Sequence, residues 1–357
     1  MTNDDFDALA RSILAPSDEI AEEARQLQER LTKPKGSLGH LETLGVQLSA
    51  VAKQCPPPIP EPVTICVFAG DHGVLDAGVS PWPKEVTAQM VANFCAGGAA
   101  INVLARHVGA NVVVVDVGVA TPIPGDLAEL VERNVAKGTA NLAVKPAMTN
   151  EQALRALGVG VEIANNAMER GARLLVTGDM GIGNTTPSAA LIAALTRTSP
   201  QLVTGRGTGI DDEMLNVKTH VIETALLRIA PEPSPLDVLA EIGGLEIAAL
   251  AGFIVAGAAR GIPVVIDGVI SVAAALVAVA FAPAARGYLI AGHRSSEPGA
   301  TVGLSHLGLT PVLDLALRLG EGSGGALAVP IVQAAAKIMR EMATFDSAGV
   351  SEIEGSS

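Results

Sequence analysis

Residues 63–73, VTICVFAGDHG, run an apolar, β-branched stretch into Gly70, Asp71, His72 and Gly73. Such a stretch closed by glycine and polar residues reads as a short strand buried on both faces. The same pattern returns downstream. Asn111–Val115 leads to Asp116 and Gly118, Arg173–Val176 to Thr177-Gly178-Asp179, Ile262–Ile266 to Asp267-Gly268, and Gly287–Ile290 to Gly292-His293-Arg294-Ser295. Ala-rich segments of helical length lie between the runs: 85–107, 150–170, 187–196 and 244–260. Strand alternating with helix predicts right-handed crossovers and an α/β fold built on a parallel sheet. Ligands of such sheets bind beyond the carboxyl ends of the strands. Those ends carry Asp71, His72, Asp116, Asp179, Asp267, His293 and Ser295, and the opposite ends carry no comparable polar set.

The flanks read as helical. Ala, Leu, Ile and Glu recur at three- and four-residue spacing over 18–30 and 38–52, with a break at Lys33-Pro34-Lys35-Gly36-Ser37 and a Pro-rich connector over 55–62. Two further helical patterns are expected between Pro311 and Ala343, joined by Gly320-Glu321-Gly322-Ser323-Gly324-Gly325, and the tail from Thr344 reads as a surface segment. With 49% hydrophobic and 17% charged residues among 357, the chain has the means to bury a core. A net charge of −13 argues against general nucleic-acid binding, which needs a basic footprint. Three cysteines without CxxC spacing argue against a disulfide framework or zinc cage and fit a reducing cytoplasm. The uncharged run from Gly268 to Ala285 is near the lower length of a bilayer span. It is mostly Ala and Val, is interrupted by Pro283 and has no aromatic belt, so a buried helix is expected. The acidic start, MTNDDFDALARS, shows no secretory signal.

Four segments offer chemistry. TGDMGIGNTTP (177–187) is a Gly-rich turn between a strand and a helix, with Thr186 expected as N-cap and Pro187 as first helical residue. Free N–H groups at such a helix start attract an anion, but the segment is neither a Walker loop nor a GxGxxG fingerprint. GRGTGIDDEMLNVK (205–218) is a second Gly-rich loop opening a helix; Asp211 and Asp212 suit its first turn, and Lys218 is either a solvated lysine or the neutraliser of a phosphate or carboxylate. Ser80 and Gln89 flank Trp82, the only tryptophan, in a Pro-stiffened loop that could hydrogen-bond a planar heterocycle or be an ordinary surface loop. Glu321 is a lone carboxylate in a Gly-rich kink between apolar segments. It is either a solvated linker residue or, if apolar walls raise its proton affinity, a base suited to neutral pH. Asp71-His72 has no metal-ligand spacing, and the six histidines form no HxH or HxxxH.

Taken together, the stretches KPKGSLGHLE (33–42), FAGDHGV (68–74), GVSPWPKEVTAQMV (78–91), DVGV (116–119), GTANL (138–142), TGDMGIGNTT (177–186), GTGIDDEMLNVK (207–218), EIGGLEIAALAGF (241–253), GHRSSEPG (292–299) and LRLGEGSG (317–324) resemble the nicotinate-nucleotide:dimethylbenzimidazole phosphoribosyltransferase family, in order and over nearly the whole chain. The resemblance implies a Rossmann-like parallel sheet flanked by helices in a large domain at 61–305. It also implies a smaller helical domain drawn from 1–60 and from 306–357, the latter carrying the GEG segment. The implied reaction converts nicotinate mononucleotide and 5,6-dimethylbenzimidazole to α-ribazole 5′-phosphate and nicotinate, with inversion at the anomeric carbon. The family's catalytic Glu falls on Glu321. Its benzimidazole contacts fall on Ser80 and Gln89, and its phosphoribosyl contacts on Gly181, Gly207, Lys218, Gly268 and Ser295. No metal or organic cofactor is implied, and the family is a homodimer. Two departures stand out: the family's usual GEMGIGNTT has Glu where this chain has Asp179, one methylene shorter, and many members end the GHxSxEPG segment with His where this chain has Ala300.

Two other readings are open on residues alone. A metal-dependent sugar-phosphate enzyme with Asp71 as nucleophile would lose activity in EDTA. A non-catalytic nucleotide- or corrinoid-binding protein would bind without releasing nicotinate.

Overall fold

The computed structural model describes residues 1–351 apart from Asp126 and Thr208. Six parallel strands form one sheet: β1 (Val63–Gly70), β2 (Asn111–Gly118), β3 (Leu130–Glu132), β4 (Leu174–Met180), β5 (Val264–Ile266) and β6 (Leu289–Ala291). Their order, β3-β2-β1-β4-β5-β6, is the doubly wound arrangement, and the order reverses between β1 and β4. Loops leaving two neighbouring strands there part to opposite sides and leave a crevice.

In chain order the helices are α1 (Asn3–Arg11), α2 (Asp18–Arg30), α3 (His40–Ala52), α4 (Glu85–Cys95), α5 (Ala100–Val108), α6 (Asn150–Glu169), α7 (Thr185–Thr196), α8 (Pro200–Val203), α9 (Asp212–Leu226), α10 (Pro235–Ile242), α11 (Leu245–Ala259), α12 (Val269–Phe281), α13 (Pro298–Leu307), α14 (Ser323–Glu341) and α15 (Phe345–Ala348). Strand β1 shows why both sheet faces need covering. Cys66 and Phe68 enter one core with α6, α7, α11 and α12, while Val63, Ile65, Val67 and Ala69 enter another with α3, α4, α5 and α14. All eight β1 residues are buried, as a central parallel strand requires.

The structure alters several expected elements. The 85–107 helix is two helices, because Gly97 takes φ +76° at the turn between them. Although residues 85–108 are apolar enough on length and composition to cross a membrane, neither half is long enough alone. The 268–285 run becomes α12, 13 residues long, with its first ten residues all buried against the sheet layer. Helix α7 starts at Thr185 with Asn184 as N-cap, so Thr186 does not cap it and Pro187 is its third residue rather than its first. No helix forms over 311–319. Instead Val312 donates to the Ala291 carbonyl, Leu313 donates to Gly292, and Arg294 donates to Leu313, so the segment runs extended beside the chain leaving β6. Those bonds outweigh its helical spacing. Thr344 to Ser351 lie at the surface apart from half-buried Thr344 and Phe345, and residues 352–357 of that tail lie outside the described residues.

Candidate active site

A cavity of about 310 Å³ opens at the carboxyl ends of β4, β5 and β6. Its polar lining includes Asp179, Asn184, His293, Ser295, Glu297, Arg318 and Glu321, and one apolar wall is made by Trp82, Val86 and Met90. A smaller recess of about 50 Å³ adjoins it, sharing Gly181, Thr185 and Gly207 and adding Ser80, Arg206 and Lys218.

Glu321 is 5% exposed and lines the main cavity. Its Oε2 accepts the Ile101 backbone N–H at 3.1 Å, from the first turn of α5, and Oε1 has no hydrogen bond among the described residues. Burial pushes its proton affinity up, the Ile101 N–H opposes this, and the Asp267 carboxylate adds to the rise. The backbone there is unusual. Gly320, Glu321 and Gly322 all have positive φ, at +82°, +63° and +92°. Two glycines tolerate this; the glutamate between them does not adopt it readily.

Asp179 at the end of β4 accepts from Asn184 Nδ2 at 3.0 Å through Oδ2, and its backbone carbonyl accepts the Glu321 N–H at 3.2 Å. Burial, with the Asp267, Glu246 and Glu321 carboxylates nearby, raises its pKa well above the ordinary value, and the Asn184 amide opposes the rise. Behind it His72 Nε2 meets Glu246 Oε1 at 2.8 Å, both side chains fully buried. Burial opposes charge on His72, but Glu246 holds its pKa above the ordinary value. A Cβ on Gly181 would stand 3.1 Å from this imidazole and closer to the Gly70 carbonyl, so Gly181 is required by the packing beneath the loop.

Lys218 is 1% exposed, which removes the solvated reading. Its Nζ donates to Thr185 Oγ1 at 2.8 Å and to the Gly205 carbonyl at 2.9 Å, leaving one of its three donors. Burial lowers its pKa to about 8, with Glu297 working the other way. Gly207, at φ +52°, donates its N–H to Glu297 Oε1 at 2.8 Å and accepts from Arg318 Nη1 at 2.8 Å. The first turns of α7 and α12 also face the cavity, through Thr185 and through Gly268, Val269 and Ile270. Two helix N-termini, a buried ammonium and Arg318 make this corner favourable to an anion in a protein of strongly negative net charge.

The cavity and its recess thus bring together Ser80, Asp179, Gly181, Gly207, Lys218, Gly268, Ser295 and Glu321. Gln89 is not among their lining: α4 turns Val86 and Met90, one turn apart, toward the cavity and leaves Gln89 exposed. Ala300 is buried in α13 and lines neither space. The motif reading passed over Asn184, Glu297 and Arg318. All three lie inside quoted motifs, and for Asn184 and Glu297 a side chain able to bond a carboxylate or a loop N–H was the available signal. For Arg318 the signal was a cation three residues before Glu321, but its place at the cavity depends on where the extended 311–319 segment runs.

A profile of a phosphoribosyltransferase family matches residues 13–350. A nicotinate-nucleotide–dimethylbenzimidazole phosphoribosyltransferase from Salinispora tropica is 54% identical over 95% of this chain and 97% of its own. One of the same name from Chloroflexus aurantiacus is 56% identical over 94% and 95%. A crystal structure of such an enzyme from Thermus thermophilus superposes with a TM-score of 0.90 at 47% identity, covering 94% of this chain and all of the other.

Proposed function

The chain belongs to the nicotinate-nucleotide–dimethylbenzimidazole phosphoribosyltransferases, and on that premise we propose that its cavity carries out the transfer with Glu321 as base. The protein is a pentosyltransferase that moves phosphoribosyl from nicotinate mononucleotide to 5,6-dimethylbenzimidazole, releasing nicotinate and α-ribazole 5′-phosphate.

The observation that carries the proposal is a single one. A buried carboxylate with raised proton affinity lines a cavity that adjoins the recess of Lys218, where the surroundings favour an anion. The 5′-phosphate sits against Gly181, Gly207 and Lys218, with Gly268 and Ser295 along the ribose. The benzimidazole lies on the wall of Trp82, Val86 and Met90, with Ser80 at its edge; the geometry gives Gln89 no place there. Asp179, whose burial favours the protonated form, lies beside the sugar.

Nicotinate leaves from a cationic pyridinium nitrogen, taking the glycosidic electron pair and becoming neutral at that nitrogen. One imidazole nitrogen forms the new bond to C1′ while the other gives its proton to Glu321. No positive charge then accumulates on the acceptor, and orientation supplies much of the rate. Residues 1–60 and the described part of 306–357 form, in this reading, a smaller domain that brings the base to the sheet. The pairing of Leu31 with Thr344, and of Thr32 with Ala343, supports it. The reading also carries a cytoplasmic homodimer, which sedimentation of the purified protein checks for subunit number.

Incubating the protein with both substrates and separating the products yields nicotinate and an α-linked ribotide in equal amounts. Nucleotide consumed without ribotide, or neither consumed, overturns the assignment. Lys218→Met removes the buried ammonium and raises KM for nicotinate mononucleotide by roughly 10- to 100-fold, the scale of one charge-assisted hydrogen bond, with a smaller change in kcat. Because the free protein's lysine titrates at about 8, kcat/KM for the nucleotide falls as pH rises through that value. In Lys218→Met that alkaline limb disappears.

A further inference from the structure

We propose that Asp267, at the carboxyl end of β5, is the positioning residue of the catalytic hinge, capping α14 from another strand and so holding Glu321 in its left-handed conformation. This rests on the role given above to Glu321.

Helix α14 begins without a cap of its own. Its N-cap is Gly322, which has no side chain to accept the N–H of the third helical residue, Gly325. Asp267 supplies both halves of the missing arrangement: Oδ2 accepts the Gly322 N–H at 3.2 Å and Oδ1 the Gly325 N–H at 2.9 Å. A capping box normally divides these two bonds between two side chains of the same helix; here one carboxylate makes both.

The carboxylate is itself fixed. It is 1% exposed, and its own N–H donates to Thr177 Oγ1 at 3.1 Å. That hydroxyl also meets Ser271 Oγ at 2.9 Å and the Val265 carbonyl at 3.3 Å. His293 Nε2 lies 3.3 Å from Oδ1, and a Cβ on Gly324 would come within 2.7 Å of that nitrogen, so the imidazole closes the far side of the hinge. Other ties on the hinge are the Glu321 N–H to the Asp179 carbonyl, the Ser323 N–H and hydroxyl to the Gly320 carbonyl, and the Ile101 N–H to Glu321 Oε2. Three consecutive residues at positive φ need such restraint, since the glutamate among them would otherwise relax. An amide at 267 offers one oxygen where two N–H groups require two, and it keeps the side chain's size.

Asp267→Asn therefore lowers kcat by roughly tenfold or more, the scale of a misplaced catalytic group, while KM for nicotinate mononucleotide stays within about threefold. In a Glu321→Gln background the same change alters kcat less than about twofold, because the group it positions is already gone. Amide exchange at Gly322 and Gly325 speeds up in Asp267→Asn, a readout that needs no turnover. Thr177→Val, which loosens Asp267 without touching the helix, repeats the pattern more weakly and decides the matter if Asp267→Asn does not fold. Equal losses of kcat in both backgrounds, or full kcat with unchanged exchange at 322 and 325, overturn the proposal. A wild-type protein that forms no ribotide overturns the transfer reading instead, and the exchange measurement then still tests the cap.

Discussion

With glutamine at position 321 the protein folds as before, binds nicotinate mononucleotide as before, and turns over roughly 100-fold more slowly or worse, the usual scale for removing a positioned base. Glutamine keeps the shape and the acceptor oxygen for the Ile101 N–H, and it loses only the capacity to take a proton. Thermal stability moves the other way. A carboxyl whose proton affinity is higher folded than unfolded takes protons more readily in the folded state. Its contribution is therefore lost as pH rises through the folded value. Near neutrality Glu321 is a burden on the fold, and the non-titrating amide escapes it, so Tm of Glu321→Gln equals or exceeds that of the parent. Turnover by the variant at the parent rate removes Glu321 from its role. A drop in Tm would mean the side chain holds the hinge together rather than serving the reaction. The pH profile gives an independent check: the acid limb of kcat/KM for the benzimidazole lies above the ordinary carboxylate range, in the direction of the raised proton affinity.

The sheet was legible in the sequence to the extent that burial on both faces leaves a continuous apolar run. That is why β1, β2, β4, β5 and β6 are found within a few residues of the expected runs. Strand β3 is three half-exposed or exposed residues, Leu130–Glu132, at the sheet edge, and it gives no such run. The strand order was not legible, because pairing of β1 with β4 across more than a hundred residues is a tertiary fact. The site divides along the same line. Glu321 and the Gly-rich loops announce themselves by local composition. The burial of Lys218, the cap from Asp267 and the outward face of Gln89 depend on which elements pack together. The 311–319 segment shows local spacing overruled: it pairs with the chain after β6, and this brings Arg318 and Glu321 to the cavity.

Gly252→Ala destabilises the protein by about 3 kcal/mol or more, at the upper end of overpacking effects, and lowers Tm by about 4 °C or more for a chain of this length. Helix propensity alone predicts the opposite, since alanine is favoured over glycine inside a helix by about 1 kcal/mol. The contact between α6 and α11 decides the sign. A Cβ on Gly252 would stand 2.8 Å from the Leu157 carbonyl carbon and closer to its oxygen. One on Gly160 would stand 2.6 Å from the Phe253 nitrogen. Ordinary carbon contacts lie at about 3.5–4.0 Å, so backbone must move against backbone in both cases. Gly158→Ala, two residues away in α6, separates the two effects. Its Cβ would meet only the Met1 side chain, at 3.3 Å, and the exposed Met1 can yield, so this variant is neutral or slightly more stable. The consequence reaches the site. The first turn of α11 carries Glu246 against His72, under the Gly181 loop, and Gly252 lies about 9 Å along the same helix at 1.5 Å per residue. Forcing α11 away from α6 shifts the dyad on which that loop rests, so a Gly252→Ala protein that still folds also binds nicotinate mononucleotide more weakly, whereas Gly158→Ala binds it as the parent does. Calorimetry and a KM for the nucleotide on the two variants measure both expectations. A Gly252→Ala protein as stable as Gly158→Ala would show that the two helices are not in the close contact described.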